Sequence, residues 1–111
     1  MADPIVYLEL PAKDIAAEKK FFSQAFGWTW QDWGPDYADT TAGIGAGINA
    51  SGDHQSEKPL AVLKVGDLEA ARERVKRAGG RITVDIFSFP GGRRFHFADP
   101  AGNELAVLSE T

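Results

Sequence analysis

Two capped amphipathic segments of this chain superpose without a gap at an offset of 53 residues. The first runs from Asp14 to Gly27, DIAAEKKFFSQAFG, and the second from Asp67 to Gly80, DLEAARERVKRAGG. An Asp placed just ahead of a helical apolar period accepts one of the unpaired N–H groups of the first turn. A Gly just past the end closes the last turn in a left-handed conformation that other residues resist. Asp14 matches Asp67, Ala25 matches Ala78 and Gly27 matches Gly80. A strand-like run precedes each helix, at residues 5–10 and 60–65. In the first of these, Tyr7 and Glu9 share one face, and Val6, Leu8 and Leu10 the other. Three short β-forming runs follow each helix: residues 28–33, 36–41 and 44–49, then 81–87, 94–98 and 104–108. The expected fold class is α+β: one domain of two tandem βαβββ modules, residues 1–49 and 60–111, joined by a polar linker at 50–59. A module of about fifty residues is too small to bury a stable core alone, so the two are expected to pack together or exchange partners.

The second module ends in RRFHFADPAGNELAVL. Asp99 opens a four-residue turn, Pro100 presets its backbone and Gly102 closes it, so the flanking runs read as a tight hairpin. A duplicated βαβββ module ending in strand–DPxGN–strand resembles the vicinal oxygen chelate superfamily, which includes glyoxalase I, bleomycin-resistance proteins and extradiol dioxygenases. The resemblance spans YLELPAKDIAAEKKFFSQAFGW, AVLKVGDLEAARERVKRAGG and FHFADPAGNELAVL, nearly the whole chain. It implies a curved mixed sheet forming a cleft, commonly completed as a homodimer. It also implies a divalent metal held by His and Glu from the first and last strands of each module. Carried over by counting from Asp14, Asp67 and Asn103, those ligand positions fall on Tyr7, Leu60 and Ala106, with the fourth near Gly47. One phenol, two apolar side chains and a glycine do not make a divalent site. No metal and no cofactor are therefore expected at the usual positions.

A displaced site is conceivable, since parity puts Glu9 with Tyr7, Lys64 with Leu60, and both His96 and Glu104 with Ala106. Glu9, His96 and Glu104 would then be a His/two-carboxylate set. The plainer reading, an ion-paired His96 and a rim charge at Glu104, is preferred because the three share no spacing signature. His54, in the linker, reads as a solvated loop residue. The run Gly43–Gly47 lacks the helix and the Lys-Ser/Thr pair of a phosphate loop, and reads as a strand that lets a ligand or partner come close. Trp28 and Trp30 share a face of the run 28–33 and, with Trp33, read as filling the core or a dimer seam. Ligand-binding candidates are thus Tyr7, Glu9, Tyr37, Lys64, His96 and Glu104. Glu9 is the candidate base, since burial disfavours its charged form unless Arg93, Arg94 or Lys64 neutralises it.

Composition excludes several classes. A net charge of −4 leaves no basic stripe for nucleic acid, and with no cysteine there is neither thiolate chemistry nor a disulfide. No apolar run approaches the ~20 residues that span a bilayer, and no signal peptide is visible, so a soluble cytoplasmic protein is expected. Three function classes stand: a metal-free binder of a small, partly aromatic molecule; a lyase, isomerase or dioxygenase-like enzyme using Glu9 or a displaced metal; and an interaction module whose cleft its own side chains fill.

Overall fold

Both aspartates cap their helices as the sequence requires. Asp14 accepts from the Ala17 amide at 3.1 Å and Asp67 from the Ala70 amide at 3.0 Å. The computed structural model describes residues 2–53 and 55–111, so His54 lies outside the described residues. The element order is β1 (Ile5–Pro11), α1 (Ile15–Phe26), β2 (Gln31–Asp32), β3 (Tyr37–Thr40) and β4 (Ala46–Asn49). It continues with β5 (Leu60–Lys64), α2 (Leu68–Arg77), β6 (Arg81–Phe89), β7 (Gly92–Ala98) and β8 (Glu104–Ser109). This is βαβββ twice, as expected. In each copy the first strand pairs parallel with the last, β1 with β4 and β5 with β8, and the other neighbours are antiparallel. Among the described residues no helix is long and apolar enough to cross a membrane.

The chain divides into two compact units. One comprises residues 2–6 with Leu60–Thr111, and the other is Tyr7–Pro59. The first few residues thus join the second module, where the Lys64 amide donates to the Pro4 carbonyl.

In the unit Tyr7–Pro59 the strands run β2-β3-β4-β1. The register sets Glu9 beside Gly47, Asp39 beside Gly47, and Tyr37 beside Asn49. Parity then places Tyr7, Glu9, Tyr37, Gly47 and Asn49 on one face and Leu8, Leu10, Ala38, Ala46 and Ile48 on the other. The run 28–33 is not a strand over its length; only Gln31–Asp32 pairs. Its tryptophans serve α1 instead. Trp28 stacks on Phe22 with ring centroids 4.7 Å apart, and Trp30 donates its indole N–H to the Lys19 carbonyl and the Ser23 hydroxyl. Trp33 stays exposed.

In the other unit the order is β5-β8-β7-β6. Val65, Leu68, Ala71, Phe95 and Val107 form its core, with Val75, Ile82, Ile86 and Phe97 packed around them. The helix end differs from its counterpart by one residue. Gly27 is left-handed after α1, but after α2 Ala78 is right-handed and Gly79 takes the left-handed turn, leaving Gly80 tucked against Val75. The final turn forms as read: the Asp99 carboxylate accepts from the amides of Ala101 and Asn103 and from the Asn103 side chain, and the Gly102 amide donates to the Asp99 carbonyl.

Candidate functional site

Glu9 is almost completely buried, 3 % exposed, in the middle of the polar face of β1. Its neighbours come from all three long strands of that unit. From β3, the Tyr37 hydroxyl donates to Glu9 Oε2 at 3.0 Å, and the hydroxyls of Tyr37 and Tyr7 meet at 2.8 Å. From β4, Asn49 Nδ2 reaches Glu9 Oε1 at 3.3 Å. Asn49 cannot turn its amide round, because its Oδ1 already accepts from the Ser51 amide at 3.0 Å and the Ser51 hydroxyl at 2.7 Å. Burial, the adjoining Glu9 carboxylate and the Tyr7 phenol together push the Tyr37 pKa far above the ordinary phenol range. Tyr37 therefore stays a donor across the physiological range.

Gly47 makes this cluster possible. A Cβ at that position would overlap the hydroxyls of both Tyr7 and Tyr37. The sequence reading expected this glycine run to be a strand open to a ligand or partner. Instead the strand begins at Ala46, Gly43 and Gly45 lie in the preceding turn with positive φ, and the chain's own phenols take the space over Gly47.

The remaining candidates lie in the other unit. His96 is 1 % exposed on β7, with Nδ1 3.4 Å from Glu104 Oε2, and Thr83 donates to the same oxygen at 2.9 Å. Phe87 packs against the His96 ring, and the Arg94 guanidinium lies over Phe87 and Phe89. Lys64 is exposed and paired with Glu110 at 2.5 Å, while Arg93 grips Glu69. The structure thus joins Tyr7, Glu9 and Tyr37 in one cluster and His96 with Glu104 in another. Sequence reasoning did not find Asn49; its place beside Tyr37 follows only from the β3–β4 register.

The residues at the metal positions do not fit a metal. Tyr7 does lie over Gly47, as two neighbouring ligand positions should, but they offer one phenol and no side chain. Leu60 and Ala106 are apolar and fully buried. Among the described residues no group of three or more His, Asp or Glu side chains is placed to hold an ion. A groove along the linker, lined by Pro11, Lys13, Gln55 and Glu57 among others, holds only exposed charges.

Comparison with known proteins agrees with this architecture. Residues 4–107 match the family model described as Glyoxalase/Bleomycin resistance protein/Dioxygenase superfamily. The anthracycline biosynthesis protein DnrV of Streptomyces peucetius is 28% identical over 91% of this chain; the chain spans 45% of that relative's length. Among solved structures, a superfamily member from Vibrio splendidus 12B01 is similar with a TM-score of 0.71 and 18% identity, covering 97% of this chain and 99% of that one. The Mn(II)-bound glyoxalase from Novosphingobium aromaticivorans is similar with a TM-score of 0.67 and 20% identity, covering 98% of this chain and 40% of that one. At those identities the structures establish a shared fold and nothing finer.

Proposed function

Since the chain belongs to the Glyoxalase/Bleomycin resistance protein/Dioxygenase superfamily, we propose that it is a member without the usual metal site, binding a small, partly aromatic molecule on the Tyr7–Glu9–Tyr37 face of its first module. One observation carries this reading. In the first module the positions that would hold the metal carry a phenol over a glycine, yet a buried carboxylate with two phenols and an amide lies beside them; in the second module those positions are a leucine and an alanine. A site of aromatic surface with a few fixed polar groups suits a flat organic ligand. The relative named for anthracycline biosynthesis supports the same chemical class.

A thermal-shift panel of planar aromatic compounds tests this. A binder present at a hundred times its Kd stabilises the fold by about 2.7 kcal/mol, a readily visible rise in Tm. A panel without any shift would remove the proposal. A second reading has its own observation: the unbroken contact Glu9–Tyr37–Tyr7 can pass a proton, as an isomerase or lyase using Glu9 would need. Solvent deuterium entering a bound enolisable aromatic ketone, and ceasing in Glu9→Gln, would favour catalysis over plain binding. His96, Glu104 and Lys64 are proposed as ligand contacts of the second module in its own right, to be tested by alanine substitution. The proposed assembly is a homodimer, and a monomer's mass by light scattering at micromolar concentration would refute it.

A further inference from the structure

Helices α1 and α2 match residue for residue at the 53-residue offset, so each is a control for the other. Between 16 and 25, and between 69 and 78, the same six positions are exposed in both copies. On α2 and its cap they carry Glu69, Ala70, Glu73, Arg74, Arg77 and Ala78, of which four are charged. On α1 they carry Ala16, Ala17, Lys20, Phe21, Gln24 and Ala25, of which only Lys20 is charged. The α2 composition is that of a face turned to water. Few charges and an outward aromatic ring are instead the composition of an interface centre.

Phe21 is 57 % exposed and Phe26, beside it at the end of α1, is 65 % exposed. The Phe21 ring stands edge-on to Phe22 at 5.1 Å and to Phe26 at 6.4 Å, so it is held in place before a partner arrives. At roughly 200 Å² for each phenylalanine side chain, the two leave about 240 Å² open. That is close to a third of the ~800 Å² each partner gives to a standard interface.

The order of residues on this face says what covers it. Ala17, Phe21 and Ala25 are spaced by four and form one ridge along the helix. That ridge reads the same in both directions. An antiparallel copy of it sets each Ala17 against Ala25 and Phe21 against Phe21, and the small alanines leave room for the rings. A dimer closed by a two-fold axis requires a patch complementary to itself, which a partner of different sequence does not. Resting on the homodimer proposed above, we infer that the outward face of α1 is its seam. The two α1 helices lie antiparallel across a two-fold axis at Phe21, with Phe26 at the flank.

Sedimentation equilibrium of the full chain measures the dimer dissociation constant. Phe21→Lys is expected to raise it about thirtyfold or more, the weight of a central aromatic anchor. Arg74→Ala, at the matching position of α2, is expected to change it less than twofold. An unchanged constant in Phe21→Lys, or an equal effect of the two variants, overturns the inference and leaves the homodimer standing. A monomeric native chain removes both.

A cross-linking experiment keeps the inference falsifiable should Phe21→Lys fail to fold. The chain has no cysteine, so Ala17→Cys combined with Ala25→Cys adds its only thiols. Across the seam each new thiol faces its complement, and mild oxidation is expected to give a covalent dimer. Ala17→Cys alone is expected to give none. Its two copies would lie about 12 Å apart along the helices, beyond the ~7 Å that a disulfide spans. Absence of the covalent dimer in the double variant, or its formation by the single one, overturns the inference.

Discussion

Arg93 forks onto Glu69 through two parallel contacts, Nη1 to Oε2 at 2.6 Å and Nη2 to Oε1 at 3.0 Å, tying β7 to the first turn of α2. That geometry, with a carboxylate near a helix N-terminus, favours the charged form. The Arg93 hydrogen bonds, as the main cause, lower the Glu69 pKa to about 2. A group whose folded pKa lies below its unfolded one stabilises the fold above the unfolded value and loses that contribution as pH falls through the folded one. Urea midpoints should therefore drop between about pH 4.5 and pH 2. In Glu69→Gln that part of the decline should be missing. Because both groups are solvent-exposed, the difference should also shrink in high salt.

Phe95 sits at the centre of the core under α2 with no exposed surface. Phe95→Ala should cost about 3–5 kcal/mol, the combined loss of transfer energy and the cavity left behind. Trp33, 61 % exposed, should cost no more than about 0.5 kcal/mol when changed to alanine. Comparable losses for the two in urea denaturation would contradict the core as described.

Gly47→Ala should force Tyr7 and Tyr37 apart. Overpacking of this kind costs about 1–3 kcal/mol. A more specific readout is phenol ionisation followed by ultraviolet absorbance. In the native chain Tyr37 should not titrate before alkaline unfolding, whereas in Gly47→Ala its ionisation should move down toward the ordinary phenol value of about 10. An unchanged titration would show that the phenols do not depend on that gap.

Chelation should leave the protein unaffected. With Tyr7, Gly47, Leu60 and Ala106 at the metal positions, dialysis against EDTA should shift neither Tm nor the affinity for an aromatic ligand. Elemental analysis of protein purified without chelator should find no stoichiometric divalent ion. A stoichiometric ion would overturn the reading of those four positions.

The repeat and the final hairpin were legible because their signals are local. An N-cap Asp, a turn-forming Asp-Pro and a left-handed Gly each act over a few residues, and two identical grammars reinforce one another. Parity also put Tyr7 with Glu9 correctly, since both lie on one continuous strand. The run 28–33 misled because alternating tryptophans look the same whether their rings pack on a sheet or on a helix, and here Phe22 and Ser23 of α1 take them. Asn49 stayed hidden for a different reason. Its role depends on pairing between strands 40 residues apart from Glu9, which no window along the sequence contains. The glycine run was seen, but what fills the gap over Gly47 is decided by Tyr7 and Tyr37, far away in the chain.

That gap also limits how this sequence can vary. Any side chain introduced at position 47 would collide with both phenols at once. A larger residue there is tolerated only once Tyr7 and Tyr37 have both given way, and changing either tyrosine alone disturbs the bonding around Glu9. Positions 7, 37 and 47 are therefore epistatic: the effect of a substitution at one depends on what stands at the other two, and the coupling rests on the absence of one carbon atom.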